Sequence, residues 1–347
     1  MELRALNKDF VVVGPTRIKY SDLMWHRKYY EPGTFSIQIS VEQYDDSMYY
    51  IDTPERDELG VVQKVQYTED KKAIVLSGFF FEKKLSDKIV FPVLNMTGTR
   101  TEIAVTAVSQ YKEDIPRLHV MDATAAVEEV IQKEEVGTEL GEMVYRTLKV
   151  EEKSFRCRYD FENDVIDFEV YKGKDRTQAQ TENNFVTFSK GFRNLKSIIA
   201  TKDNSLYKNY FVVAGDTVDD EQIVVILDLS GGGYKQKLYI DDTNKKYNAN
   251  SQSIEEYREI LMQDAIEKAE KYVSISNVEF DTIADSGFKY LEDYNLGDKC
   301  DVIVDAIQMS FEARIIEVIE SETKGKRQET LIFGDKIPTQ YEKARIK

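Results

Sequence analysis

The sequence predicts an α+β fold dominated by β-structure, and three observations predict it. Apolar and polar residues alternate with period two through most of the first ~110 residues. Strand patterns return from Phe155 and again from Asp301 to Phe333. One long capped helix, Ser253 to about Tyr272, interrupts them. The order is therefore β-barrel-like, then α/β, then β around an inserted helix.

The first region opens with the apolar run Phe10 to Val13, stopped by Gly14-Pro15. Thr34 to Ser40 places Phe35, Ile37 and Ile39 on one face and Ser36, Gln38 and Ser40 on the other. Val61, Val65 and Tyr67 share a parity opposite Lys64, Gln66 and Thr68. Glu69 to Lys72 reads as a turn, and Ala73 to Phe81 follows as a strand broken by Gly78. Short connections of this kind fit an antiparallel barrel or sandwich.

The middle changes character. Asp122 is placed to cap a helix to about Glu134, with Val127, Val130 and Ile131 on one stripe and Gly137 as the stop. Phe155 to Tyr171 returns to strand around a turn at Glu162-Asn163-Asp164. Phe185 to Phe188 and Tyr210 to Ala214 are further strands. Ile223 to Leu229 is apolar throughout, the mark of a strand buried on both faces, and Ser230-Gly231-Gly232-Gly233 reads as a hairpin connection. Ser253 and Glu256 form a capping box, and Ile254, Tyr257, Leu261, Ala265 and Ala269 make the stripe of the helix they start. Asp301 to Ile307, Glu312 to Ile319 and Thr330 to Phe333 close the chain as strands, with a turn at Lys324-Gly325-Lys326.

Composition narrows the function. The 347 residues call for two or more domains, and 41% apolar content can fill their cores. A net charge of −16 argues against a general grip on nucleic acid or anionic membranes. The 21 Tyr and 17 Phe beside one Trp suit half-buried strands and protein interfaces. Cys157 and Cys300 match no metal or redox spacing and read as free thiols in a reducing compartment. Met1 to Phe10 has no signal-peptide h-region, and no apolar run nears the ~20 residues of a membrane span. The expectation is a protein made in the cytoplasm without a membrane anchor.

Catalytic chemistry finds little to work with. His26 and His119 are the only histidines, and neither sits in a nucleophile–base motif. Two Cys and two His so distributed make no zinc site. Gly231 to Gly233 lacks P-loop spacing, and so does Gly173-Lys174-Asp175-Arg176-Thr177. The many Glu residues on helices read as solvated. No catalytic residue, metal or cofactor is expected.

Four stretches carry a family resemblance. They are Trp25-x-Arg27-x-Tyr29-Tyr30-Glu31-Pro32-Gly33-x-Phe35; Val170-Tyr171-x-Gly173-x-Asp175-Arg176-Thr177; Val186-x-Phe188-Ser189, with Lys208-Asn209 and Phe211-Val212-Val213 after it; and Leu296-Gly297-Asp298 with Cys300-Asp301-Val302. In order and spacing over nearly the whole chain they resemble the phage tail-associated (Tal) or baseplate hub family, of siphovirus type. Gly215-Asp216 is present, but the family's basic residues near it are not.

The resemblance implies two related β-barrel-like domains plus an α/β insertion, as in the hub of contractile phages. The expected divisions are 1–108 for the first barrel and 109–184 with 241–275 for the α/β middle. The second barrel takes 185–240 with 276–335, and 336–347 forms a tail. Three chains would form a ring at the tail tip, of near six-fold symmetry, adapting a six-fold tube to a three-fold spike or fibre. Expected partners are further copies of the chain, a tail tube or distal tail ring protein, and a central spike or fibre protein; the tape measure protein is a further candidate. The particle this implies would be a phage tail, contractile or not, or a tail-like bacteriocin or injection system.

Structural or interface roles fall to Trp25, Arg27, Tyr29, Tyr30, Gly33, Asp175, Arg176, Gly297 and Asp298. Trp25, Arg27 and Tyr29 share one strand face, which fits either a subunit-interface anchor or barrel core with Arg27 snorkelling outward. Gly33 and Gly297 are expected to serve turn geometry, and Arg176 to bind a carboxylate or carbonyls. The alternatives are a receptor- or carbohydrate-binding module and a cell-wall hydrolase component. Only 13 residues follow Gly334, too few for a catalytic domain.

Overall fold

The computed structural model describes residues 1–70, 72–123, 128–283, 287–307 and 309–334. The tail expected from 336 lies outside them. The fold is α+β and predominantly β.

The first lobe holds β1 (Leu3–Leu6), β2 (Val12–Ile18), β3 (Tyr20–Lys28), β4 (Thr34–Ser40), β5 (Tyr50–Asp52), β6 (Gly60–Thr68) and β7 (Ala73–Phe80). Alternation decides these strands where one face is buried: along β4, Phe35, Ile37 and Ile39 are buried and their neighbours half-exposed. Strand β2 runs through Gly14-Pro15, which the sequence reading took as a stop. An edge strand tolerates proline, because one side of its ladder needs no N–H.

An α/β piece follows: β8 (Leu94–Thr99), α1 (Arg100–Tyr111), β9 (Leu118–Val120), β10 (Val130–Glu135), α2 (Leu140–Lys149), β11 (Ser154–Asp160) and β12 (Val165–Tyr171). Thr99 and Glu102 form a full capping box for α1. The helix expected over Asp122 to Glu134 is corrected: residues 124–127 lie outside the described ones, and Val130–Glu135 is a strand paired with β8. The expected boundary at 108 falls inside α1.

The second lobe starts with β13 (Thr187–Ser189) and β14 (Leu195–Asp203). An insert then carries β15 (Tyr210–Val218), β16 (Glu221–Asp228), β17 (Lys237–Asp241) and α3 (Ile254–Ala269). The lobe is completed by β18 (Ile275–Thr282), β19 (Lys299–Val304), β20 (Met309–Thr323) and β21 (Lys326–Gly334). In the insert, β16 and β17 lie on either side of β15, so the Gly231–Gly233 stretch crosses over instead of closing a hairpin. Strand β16 has one covered face, not two: Ile223 and Val225 pack toward α3, while Val224 and Ile226 are exposed. The expected boundary at 240 falls inside β17.

The two lobes share one pairing scheme. In the first the ladders run β3–β4, β4–β7, β7–β6, β6–β5 and β5–β1. In the second they run β14–β18, β18–β21, β21–β20, β20–β19 and β19–β13. A bulge sits at the same place in both, between Val62 and Lys64 and between Ile315 and Glu317. The lobes differ at the last ladder, which is antiparallel for β5–β1 and parallel for β19–β13. They join edge to edge: β3 pairs antiparallel with the far half of β20, from Glu317↔Lys28 to Thr323↔Asp22.

Candidate functional site

The junction strand β3 is the one that carries Trp25, Arg27 and Tyr29. All three point into the chain's own interior, Trp25 and Tyr29 with no exposed surface and Arg27 with 2%. Trp25 packs on Phe35 and Phe80 and donates its indole N–H to Glu58 Oε2 at 3.1 Å. Arg27 donates Nε to Glu58 and Nη1 to Glu320 Oε2 at 2.6 Å, so one guanidinium ties a first-lobe loop to β20. Arg56 adds Nη2 to Glu320 Oε1 at 2.7 Å. Burial works against the Arg27 charge, but Glu58 and Glu320 outweigh it and hold the group protonated. Burial likewise opposes the Glu320 charge, and Arg27 and Arg56 still keep that carboxyl below its ordinary range.

Tyr29 is where three of the four sequence motifs meet. Its backbone N–H donates to Ile316 O of β20 at 2.8 Å, and its hydroxyl donates to Glu152 O at 3.0 Å. Gly173 N–H points at the same hydroxyl at 3.4 Å. Burial pushes its phenol up to about 12. A Cβ on Gly297 would stand 2.3 Å from the Tyr29 ring, and one on Gly173 would stand 1.9 Å from the Gly297 carbonyl. Gly297 also has φ +89°, so it meets both a turn demand and a close approach. Gly33 has no such φ; it is needed because a Cβ would sit 2.3 Å from the Phe80 ring. Tyr30 is half-buried, edge-on to Tyr29 at 4.7 Å, with Lys149 over its ring.

Asp298 is the hub of the remaining motif residues. It accepts from Lys174 N at 2.7 Å, Arg176 Nε at 2.6 Å and Asn295 N at 2.9 Å. Asp175 accepts from the Thr177 N–H and hydroxyl, and these bonds outweigh partial burial to hold its carboxyl below the usual range. Val186 N donates to Arg176 O at 2.9 Å, which seats the third motif beside the second. Its later part, Lys208-Asn209 and Phe211 to Val213, lies apart in the insert.

Two features escaped sequence reasoning. Glu267 on α3, in a sequence whose helical Glu residues read as solvated, is fully buried among Lys133 at 2.7 Å, Arg146 at 2.9 Å and Arg100 at 3.3 Å. It locks the insert onto the first α/β piece. A cleft of about 140 Å³ runs beside the junction, lined by Arg27, Arg56, Glu58, Arg156 and Tyr290, with Glu82 at its wall. Glu82 Oε1 accepts from Cys157 N at 3.1 Å, while Oε2 has no partner among the described residues, and burial pushes the carboxyl up to about 7.

Among the described residues His26 pairs with Glu317 at 2.5 Å and the exposed His119 with Asp167 at 2.7 Å. Burial drives the Cys157 thiol far above its ordinary value, which leaves it inert as a nucleophile. Among the described residues no group of side chains is arranged to hold a metal, and no helix is long and apolar enough to cross a membrane.

The fold is similar to that of known tail proteins. A 43 kDa tail protein of prophage MuSo2 from Shewanella oneidensis aligns over 96% of this chain and 98% of its own, at 15% identity and TM-score 0.59. A tail protein from Neisseria meningitidis MC58 aligns over 96% and 95%, at 11% identity and TM-score 0.60. Prophage tail protein gp18 from Listeria monocytogenes EGD-e aligns over 100% and 99%, at 12% identity and TM-score 0.56. A search of curated protein sequences gives no match. The family model described as siphovirus ReqiPepy6 Gp37-like protein matches residues 2–335, and the chain belongs to that siphovirus family.

Proposed function

We propose that the chain is the structural hub of a phage tail or tail-like particle. Three copies close a ring at the tail tip that adapts a six-fold tube to a three-fold spike or fibre. The partners are two further copies, a tube or distal tail ring protein above, and a spike or fibre protein below. The role is non-enzymatic, carried by interfaces alone.

One observation supports this reading above the others. A single chain holds two lobes with the same strand-pairing scheme, joined edge to edge through β3 and β20. Three such chains present six like units, which is what matching a six-fold tube requires. In this reading Trp25, Arg27, Tyr29, Asp175, Arg176, Gly297 and Asp298 fix the angle between lobes within one chain. Light scattering on the purified chain tests the number of copies. A particle of three 40.2 kDa chains is expected, and a strict monomer at high concentration overturns the proposal.

A further inference from the structure

The shared pairing scheme leaves each lobe with one unmatched edge among the described residues. In the second lobe, β20 gives its first half to β19 and its second half to β3. In the first lobe, β6 gives Gly60 and Val61 to β5, and its remaining residues Lys64 to Thr68 have no strand on that side among the described residues. Likewise β3 has β4 on one side and β20 on the other, whereas its counterpart β14 pairs only with β18 among the described residues. The chain thus displays one complete junction and the two unmatched halves of a second.

Burial at equivalent positions says the same. The row Lys64–Ser77–Ser36–Met24 in the first lobe corresponds to Glu317–Ile332–Glu279–Ile199 in the second. Val318, one step along β20, is 0% exposed under the junction; its counterpart Val65 on β6 is 45% exposed. Trp25 and Arg27 on β3 are buried, while their counterparts Ala200 and Lys202 on β14 are exposed. Ile199 is 58% exposed. Apolar residues on an open strand edge mark a place where a further strand adds.

We infer that β14 of one copy pairs antiparallel with the Lys64–Thr68 half of β6 of a second copy. The partner is this same chain, and the contact repeats the β3–β20 junction. Register follows from the row: Lys64 faces Asp203, Gln66 faces Thr201 and Thr68 faces Ile199. The within-chain counterpart of the first pair is Glu317 opposite Lys28, so the sign of the charges is exchanged and their complementarity kept. Each copy offers one β14 and one β6, so the contact is heterologous and closes only as a ring. This inference rests on the ring reading above and adds which edges meet.

Paired cysteines test it in the full-length chain. Cross-strand partners lie within the ~4.4–6.8 Å Cα separation that a disulfide spans. The native Cys157 and Cys300 are buried and do not compete. Gln66→Cys with Thr201→Cys is expected to give covalent dimers and trimers on oxidation. Gln66→Cys with Lys202→Cys, one residue out of register and on the opposite face, is expected to give at least tenfold less. Hydrogen exchange on the unaltered protein supplies a second readout: amides within 64–68 and 199–203 become protected on assembly. A three-chain particle with neither cross-link nor protection overturns the edge pairing and leaves the ring standing. Cross-linking at 66 and 201 in a particle of some other copy number upholds the pairing and overturns the three-copy ring. A chain that stays monomeric and uncross-linked overturns both.

Discussion

Replacing Arg27 by Ala removes a buried side chain that bonds both sides of the junction, to Glu58 and to Glu320. It leaves Glu58 and Glu320 facing each other across the space the guanidinium filled. Breaking a buried ion pair from one side costs about 3–5 kcal/mol. Here Glu320 keeps Arg56 at 2.7 Å, Glu58 keeps the Trp25 indole, and both carboxylate side chains retain 22% exposure. The lower end therefore applies, about 3 kcal/mol. Trp25 is the single tryptophan of the chain and touches the same Glu58, so its fluorescence reports the junction itself. Urea unfolding followed by that signal is expected to show the loss at neutral pH, with Arg27→Lys in between because it keeps charge but not the fork. Glu320 is held below its ordinary range, so this stabilisation is present above the unfolded carboxyl value and fades as pH falls through the folded one. The gap between wild type and variant should narrow below about pH 4. A loss under about 0.5 kcal/mol at pH 7, as at an ordinary surface position, would refute the clamp.

Three further perturbations probe other parts of the fold. Glu267→Ala takes a shared buried carboxylate from Lys133, Arg146 and Arg100; Glu135 still faces the first two and Gln263 the third, so thermal unfolding should register a loss at the lower end, about 3 kcal/mol. Glu82 is raised from 4.5 to about 7, so the folded state holds its proton more tightly and stability falls as pH climbs through that window. Glu82→Gln should remove that slope and gain up to about 3 kcal/mol at pH 8 relative to pH 4; parallel melting curves for both proteins would contradict it. Gly297→Ala forces a left-handed alanine against the Tyr29 ring and should cost more than about 1 kcal/mol, read from the urea midpoint.

Local rules carried the sequence reading where one face of an element is apolar and buried. Strand β4 and the Ser253 helix are such cases. They misled where buried residues are charged. Along β10 the inward residues are Ile131, Lys133 and Glu135, so period two is hidden and Val127, Val130 and Ile131 imitate a helical stripe. The start of α1 was legible in Thr99 and Glu102, but the strand pattern before it masked the change of period. On β16, Val224 and Ile226 are apolar yet exposed, and composition alone cannot tell an open sheet face from a covered one. The junction was legible as an odd cluster of Trp25, Arg27 and Tyr29, but not as a clamp, because Glu320 lies 293 residues away. The likeness of the two lobes is invisible in residues, since Trp25 and Ala200 hold the same place; it exists in the hydrogen-bond ladders.

In the proposed hub, one chain supplies two like units and three chains complete a ring. Electron microscopy of the purified protein, class-averaged down the ring axis, tests it most directly. Three-fold rings with six similar β lobes around one channel are expected. Single lobed particles at every concentration, or rings whose lobe number is not six, would contradict it.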